Sequence, residues 1–481
     1  MFRCLLALAA AISLGSPVSA ELRPVNDSDT LVDALSDASA GDTIELAPGE
    51  YRLNGRVNLR ASGTEEAPIT VRSAVPGTAQ VSSRSDTVIK LFGPHWHLEG
   101  LDFRGGESGN HALHIVGEAH HVRIRGNRFR NYHSAIKVNG EGNPRIFPDQ
   151  GAITGNVFVN DTIRDTRWPV VAIDIVGGQG WRIDKNFIAD MAQARQGRHG
   201  SPGFAKGGAT EAVFDRNLVI CQWRHRGGPR IGLSLGGGGT APSVMDPRGA
   251  GEDCEEDCPE TVDSRMTNNI ILNCPDEPGL YLNRAHRALV ANNTIYNAYG
   301  IQARFPQTSA QVTDNLLTGT VWARDGADVQ AEANRATGWF DSAAYIPGLR
   351  DRVTARIERY HRDYPRWVRE SPARWLVQTV ESVSEWARRG WPGQRHAPFE
   401  EWFLAPDAGD LRLLGFDADM LGAGSAPPVV GHDFCGQPRE GNADTGAIQY
   451  SAGECVVVEE LRERHGELFE SLRREFTRGN R

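Results

Sequence analysis

Ile124-Arg125-Gly126-Asn127-Arg128-Phe129 and Ile153-Thr154-Gly155-Asn156-Val157-Phe158 are two copies of one pattern, in which an apolar residue is followed three positions later by Asn and five positions later by a second apolar residue. The pattern returns at 183–188, 214–219, 266–271, 290–295 and 312–317, and a degenerate copy stands at Leu98-Glu99-Gly100-Leu101-Asp102-Phe103. The Asn positions are 127, 156, 186, 217, 269, 293 and 315, with spacings of 29, 30, 31, 52, 24 and 22 residues. The long spacing reads as one coil carrying an insertion at 236–263. Between the Asn positions lie further alternating segments: Ala135-Ile136-Lys137-Val138, Ala172-Ile173-Asp174-Ile175, Gly232-Leu233-Ser234-Leu235, Gly279-Leu280-Tyr281-Leu282 and Gly300-Ile301-Gln302-Ala303. Their period of two is that of a half-buried strand. Short strands repeated in tandem every 22–31 residues predict a parallel β-solenoid, because one coil cannot bury its own apolar side and stacked coils can. An Asn in register at each turn can bond its counterparts above and below, and Asn tolerates the left-handed backbone of a sharp turn. The regular period argues against an immunoglobulin-like sandwich.

Composition agrees. The chain has 481 residues, 53 of them Gly and 26 Pro, which suits many turns and not a helical bundle. A formal charge of −9 disfavours nucleic acid as a partner. No long apolar run follows the N-terminus, so no membrane span is expected. Residues 1–20 read as a signal peptide: Arg3, an apolar stretch from Cys4 to Leu14, and the small-residue site Val18-Ser19-Ala20. A periplasmic or secreted location follows. The six remaining cysteines favour disulfides. Cys221 and Cys274 follow equivalent Asn residues on coils that become neighbours once the insertion is looped out, so they are expected to bond; Cys254–Cys258 and Cys435–Cys455 complete the set.

The opening, Leu31-Val32-Asp33-Ala34-Leu35 and then Ala40-Gly41-Asp42-Thr43-Ile44-Glu45-Leu46-Ala47-Pro48-Gly49-Glu50-Tyr51, resembles the start of pectate-lyase-like right-handed β-helix proteins. The flavour is that of the chondroitinase-B/alginate-lyase group, whose coil pair around a catalytic Arg is similar to 266–290, with Asn269, Cys274, Asn283 and Arg284. The resemblance spans about residues 25–320. It implies an all-β, right-handed parallel β-helix with a capping helix at 30–38 and a first strand at Ile44–Leu46. The resulting organisation is a β-helix over 21–345, a Trp- and Arg-rich helical insertion over 346–404, a C-terminal coil or cap over 405–455 and a charged helical tail over 456–481.

Outward residues at one strand position stack into rows, where a polysaccharide can lie across the coils. Aligning the strands puts Lys137, Asp174, Lys206, Ser234, Tyr281 and Gln302 in one row. Only four of the 52 basic residues are Lys, and Lys206 is followed by Gly207 and Gly208, which permit close approach. One coil on, Arg224, His225, Arg226 and Arg230 form a cationic cluster in an acidic protein, as a site for an anionic ligand would. Uronate β-elimination needs a base for the C5 proton and cations that neutralise the carboxylate. A lysine among arginines loses its proton more readily, because like charge disfavours the charged form. In the resembled lyases Lys is the base, an Arg lies nearby, and Ca²⁺ is usual. The implied catalytic set is Lys206 with Arg230 or Arg284. Arg224, His225, Arg226, Lys137, Tyr281 and His286 are candidate substrate contacts, and Asp174 is a candidate metal ligand. The two Arg alternatives are exclusive by alignment, since the coil before Arg284 has no Lys. The acidic segment 251–260 could hold Ca²⁺ or be a solvated loop pinned by its disulfide. No motif for an organic cofactor occurs.

The expected function is that of an exported, monomeric lyase acting on an acidic, uronate-containing polysaccharide. A non-catalytic carbohydrate-binding solenoid is the alternative. A glycoside hydrolase ranks third, because it needs paired carboxylates and the row offers only Asp174.

Overall fold

The computed structural model describes residues 20–336, apart from 107–108, 167, 195–199, 225–229, 275–276 and 318, together with 403–405, 410–413, 424–441 and 444–449. The expected helical insertion therefore lies outside the described residues except for 403–404, which belong to a strand, Phe403–Ala405, paired antiparallel with Asp410–Leu413. The charged tail lies outside them, as do most of the signal segment, His225, Arg226 and Cys455.

Among the described residues, three parallel sheets of 12, 11 and 10 strands run side by side along the chain. Each coil contributes one strand to each sheet in turn, and each strand pairs with its counterpart one coil on. Thus Arg123–Arg125 pairs with Ala152–Thr154 in the first sheet, Arg128–Arg130 with Val157–Val159 in the second, and Ser134–Asn139 with Val170–Val176 in the third. This is a parallel β-helix. Alternation fills it: Ile136 and Val138 are fully buried while Lys137 between them points outward. Phe103, Phe129 and Phe158 stack from coil to coil with centroids 5.2 and 4.8 Å apart, close to the strand spacing.

The recurrent Asn residues form a ladder with no solvent exposure. The backbone N–H and the side-chain amide of Asn156 both donate to Oδ1 of Asn186, at 3.0 and 3.0 Å. The amide of Asn186 also donates to the carbonyl of Ile153 in the preceding coil, at 2.8 Å. The same three bonds recur up the stack. They cross the insertion from Asn217 to Asn269 and extend one coil beyond the sequence pattern, to Asn334. The turn works differently from the expectation. The left-handed residue is the one before the ladder Asn: Gly126, Gly155, Lys185, Arg216, Asn268, Asn292 and Asp314 all have positive φ, and the ladder Asn residues do not. The Asn is kept for its amide, and its neighbour takes the turn.

The helix Ser28–Ser36 is capped by Asp27, whose side chain accepts from the Thr30 N–H at 2.9 Å, and it buries Leu31 and Leu35 in the core. The first strand is earlier than expected: Leu22–Val25 precedes the helix and pairs with Thr43–Leu46. The insertion carries a short helix, Pro247–Ala250, and a strand, Thr261–Val262, which joins Ala209–Thr210 and Ala285–His286 in a small parallel sheet. Disulfides join Cys221 to Cys274, with Cα atoms 5.1 Å apart, and Cys254 to Cys258, with Cα atoms 5.8 Å apart. The pairing expected of Cys435 falls with Cys455 outside the described residues.

In the expected C-terminal segment, the described residues 424–441 and 444–449 join none of the three sheets. Phe434, Ala447 and Ile448 pack on the outward side of the second sheet, against Val157, Phe187 and Ile220. Polar contacts fix this patch. Arg439 is buried and donates to Asn268 Oδ1 and to the carbonyls of Gly446 and Ala447. His432 Nε2 lies 2.9 Å from Asp215, whose carboxylate also accepts from Thr267 at 2.7 Å and from Arg216 at 2.9 Å. Burial alone pushes Asp215 up; the hydrogen bonds from His432 and Thr267 and the Arg216 charge outweigh it and hold the carboxyl at about 2.

Two outcomes are expected. Asn186→Leu orphans the two donors of Asn156 and the carbonyl of Ile153. At about 1–3 kcal/mol for each buried unpaired group, urea unfolding should show a loss of roughly 3 kcal/mol or more. Asp215 has a native pKa below its unfolded one, so its contribution is complete above about pH 4 and is lost as pH falls through about 2. Acid titration of Asp215→Asn should therefore lose a transition of about 2–3 kcal/mol that the parent shows in that window.

Candidate functional site

The outward face of the third sheet carries two side-chain rows fixed by strand register. The first runs Lys90, His114, Lys137, Asp174, Phe204, Ser234, Tyr281, Gln302 and Trp322. The second, two residues further along each strand, includes Asn139, Val176 and Lys206, then Asn283, Arg304 and Arg324. Lys206 thus leaves the expected row, and Phe204 takes its place. Gly207 and Gly208 are not strand residues. With φ of +64° and +78° they end the strand at Lys206, which puts Phe204 opposite Asp174.

The two halves of this face differ. On the N-terminal half the charges are closed into pairs. Lys90 lies 2.7 Å from Glu141 and Lys137 lies 2.6 Å from Asp174. His114 Nε2 lies 2.7 Å from Asn139 Oδ1, and burial lowers the imidazole to about 4. Asp174, expected as a metal ligand, holds Lys137 with Oδ2, while its Oδ1 is buried with no hydrogen-bond partner among the described residues.

On the C-terminal half Arg284, Arg304 and Arg324 are also paired, and Lys206 is the exception. Lys206 Nζ sits 4.6 Å from the centre of the Phe204 ring, and no carboxylate lies within ion-pair distance of it among the described residues. Its stem crosses the next coil over glycine. A Cβ on Gly237 would lie 2.9 Å from Lys206 Cδ, and one on Gly236 would lie 1.8 Å from the Asn283 carbonyl. Gly236 to Gly238 thus run directly under Lys206 and Asn283, and Gly239 faces open space, so the four form a glycine bed between Lys206 and the coil that carries Asn283 and Arg284. Two coil spacings separate these strands, roughly 10 Å. Arg284 donates to Asp257 at 2.5 Å and stacks 4.5 Å over Phe305. Arg304 stacks 4.6 Å over the same ring and donates to Asp325 at 2.7 Å. Asn283 donates to the Tyr281 hydroxyl at 3.2 Å. Beside the bed, the insertion walls an open cleft of about 330 Å³ whose lining includes Thr240, Glu255, Asp257, Glu260 and Arg284. Glu260 is committed to the fold: its carboxylate accepts from the Gly207 N–H at 2.8 Å and the Thr240 hydroxyl at 3.0 Å.

Of the expected cationic cluster, the described members Arg224 and Arg230 lie elsewhere. Arg230 is buried, lies 3.7 Å from Asp190 and donates to the Cys221 carbonyl. Arg224 spans Asp190 and Asp161, both at 3.2 Å, and packs on Trp223. These arginines neutralise a buried aspartate, because Asp190 with no exposure needs paired charge. His286 lies in the small accessory sheet, with Nδ1 3.1 Å from Ser309 Oγ, and not on the third sheet. Of the two exclusive Arg alternatives, Arg230 is the buried partner of Asp190 and Arg284 lies two coils on from Lys206, past Gly236–Gly239. The sequence reading missed Arg304 and Arg324. They lie two residues beyond Gln302 and Trp322, where the second row would have shown them.

With this geometry in hand, the likeness to known proteins is informative. A family model described as Chondroitinase B matches residues 25–139, a segment that ends before Lys206 and Arg284. No curated protein matches the sequence. Among solved structures the chain is similar to the pectate lyase Pel9A, at 14% identity over 90% of this chain and 98% of that one, with a TM-score of 0.52. It also matches a rhamnogalacturonan lyase at 14% identity over 67% and 89%, with a TM-score of 0.46. An alginate lyase from Paenibacillus sp. str. FPU-7 matches at 17% identity over 66% and 95%, with a TM-score of 0.39. The Pel9A overlay establishes the fold as a pectate-lyase-like parallel β-helix.

The different placements of Arg230 and Lys206 separate by experiment. Arg230→Ala leaves Asp190 with less buried counter-charge and should cost roughly 3–5 kcal/mol in chemical unfolding. Lys206→Ala, on an outward position, should stay within about 0.5 kcal/mol of the parent.

Proposed function

We propose that the protein is an exported lyase that cleaves an acidic, uronate-containing polysaccharide by β-elimination on the C-terminal half of the third-sheet face. The observation that carries this reading is the glycine bed flanked by Lys206 on one side and by Arg284 and Arg304 on the other. At Gly239 the backbone faces open space, where a sugar ring can approach it, bordered by cations in a protein of net charge −9. The likeness in fold to a pectate lyase and the Chondroitinase B match over the first coils support the same class. The signal-like segment at 1–20 supports export.

In this reading a uronate carboxylate binds Arg284. The partner it displaces, Asp257, is 66% exposed on the disulfide-pinned loop, and such a surface pair holds by only about 0–1 kcal/mol. Neutralising the carboxylate makes C5 acidic. Lys206, as the free amine, takes the C5 proton. The electron pair forms the C4–C5 double bond, the C4–O bond breaks, and the departing oxygen takes a proton, with the Tyr281 hydroxyl as the donor on this face. Asn283 holds that hydroxyl in place. Ca²⁺ remains a candidate aid to carboxylate neutralisation, with the acidic loop 251–260 as the nearest oxygen-rich segment. The working form is a monomer.

The test is a panel of alginate, polygalacturonate and dermatan sulfate, read by ultraviolet absorbance of unsaturated ends with and without Ca²⁺. Growth of absorbance is expected on one of them. Lys206→Ala should lower the rate by about 10²–10⁴-fold, and Arg284→Ala by about 10²–10³-fold. New reducing ends without absorbance would point to a hydrolase, and binding without cleavage to a carbohydrate-binding solenoid; either sinks the lyase reading.

A further inference from the structure

We infer that His95, His120 and His121 form a binding site for a borderline transition-metal ion of the Zn²⁺, Ni²⁺ or Cu²⁺ class, which ties two successive coils together. One ring nitrogen from each histidine can be chosen so that all three lie within 4.8 Å of one another. The fold builds this cluster. His95 lies two residues before His97 and His121 two before Arg123, and those two residues pair in the first sheet, so the histidines occupy the same turn position one coil apart. Both take the left-handed conformation, with φ of 56° each. This directs the two side chains alike: their rings stack 4.8 Å apart and 13° from parallel. His120 meets both edge-on, at 5.3 and 4.9 Å, and its Nδ1 lies 2.8 Å from Nδ1 of His121. Two ring nitrogens at that distance need either a proton or a shared cation between them.

The backbone under the cluster is rigid. The His95 N–H donates to the His120 carbonyl at 3.0 Å, which links the two coils directly, and the His121 N–H donates to Asp149 at 2.9 Å. Trp96, next to His95, is fully buried and donates to the Ala61 carbonyl at 2.8 Å. A Cβ on Gly93 would meet that same carbonyl oxygen at 1.9 Å, so the turn has little room to shift. All three histidines are partly exposed, which leaves a path for the ion. A set of imidazoles without a bound carboxylate selects against Ca²⁺ and Mg²⁺, which require oxygen. Three nitrogens leave a fourth position for water or for Glu65. The site lies at the turn between the third and first sheets and is independent of the lyase reading.

The experiment is calorimetric titration of untagged, chelator-treated protein with ZnCl₂, with CaCl₂ as the contrast, and thermal unfolding at each zinc level. The variants are His95→Asn and His121→Asn, since Asn tolerates the left-handed backbone, and His120→Gln, whose backbone is unstrained. One Zn²⁺ per chain is expected, with a rise in melting temperature that Ca²⁺ does not give and an affinity about tenfold or more weaker in each variant. Circular dichroism without metal identifies which variants are folded, and His120→Gln decides if the other two are not. No zinc binding by the parent, or equal binding by the folded variants, overturns the site.

Discussion

A line of buried amides governs this molecule. Each ladder Asn makes three bonds that no other side chain of its size can make, and each is fully removed from water. A coil shifted by one residue would leave several polar groups unpaired in a dry interior, at about 1–3 kcal/mol each. The ladder therefore pins the register of every coil. Apolar alternation supplies most of the driving force, but it would tolerate other pairings of similar strands. The ladder continues unbroken from Asn217 to Asn269, past the insertion, and the Cys221–Cys274 disulfide sits at the same junction. An excursion with its own helix, disulfide and strand can thus be carried without disturbing the stack.

Fixed register turns a linear sequence into rows, and the rows give the third sheet two chemically distinct halves. Toward the N-terminus, Lys90, Lys137 and His114 are each satisfied by a partner one or two coils away. Toward the C-terminus, Lys206 lies over glycine, Arg284 leans on an exposed aspartate, and Arg304 and Arg324 follow one coil after another. The glycines matter by what they exclude: a side chain on Gly236 or Gly237 would collide with Asn283 or Lys206. Insertion and third sheet then frame one cleft beside that bed. The basic segment 224–230 shows the opposite use of charge, with Arg224 and Arg230 neutralising Asp190 inside the protein.

Much of the fold is legible in the sequence, because period and Asn spacing are local signals read by counting. The coils, the Cys221–Cys274 and Cys254–Cys258 bonds and most of the outward row follow from that count. What is not legible depends on where a strand ends. Alternation alone does not show that the strand stops at Lys206, where the positive φ of Gly207 and Gly208 ends it, so Phe204 and not Lys206 stands opposite Asp174. Arg230 looked like part of an exposed cationic patch, since a run of arginines carries no sign that its counter-charge, Asp190, is buried 40 residues away. His95 and His121 are 26 residues apart and become neighbours only when their coils are laid in register. The packing of 424–449 on the second sheet has no sequence signature, because its contacts, such as His432 with Asp215, are single long-range pairs.

The placement of the substrate face on the C-terminal half of the third sheet is tested most directly by a crystal structure of the Lys206→Ala protein with a bound oligouronate. The account predicts a sugar ring over Gly236–Gly239 with its carboxylate within hydrogen-bonding distance of Arg284 or Arg304. An oligosaccharide bound along the Lys90–Asp174 half, or on the second sheet, would contradict it.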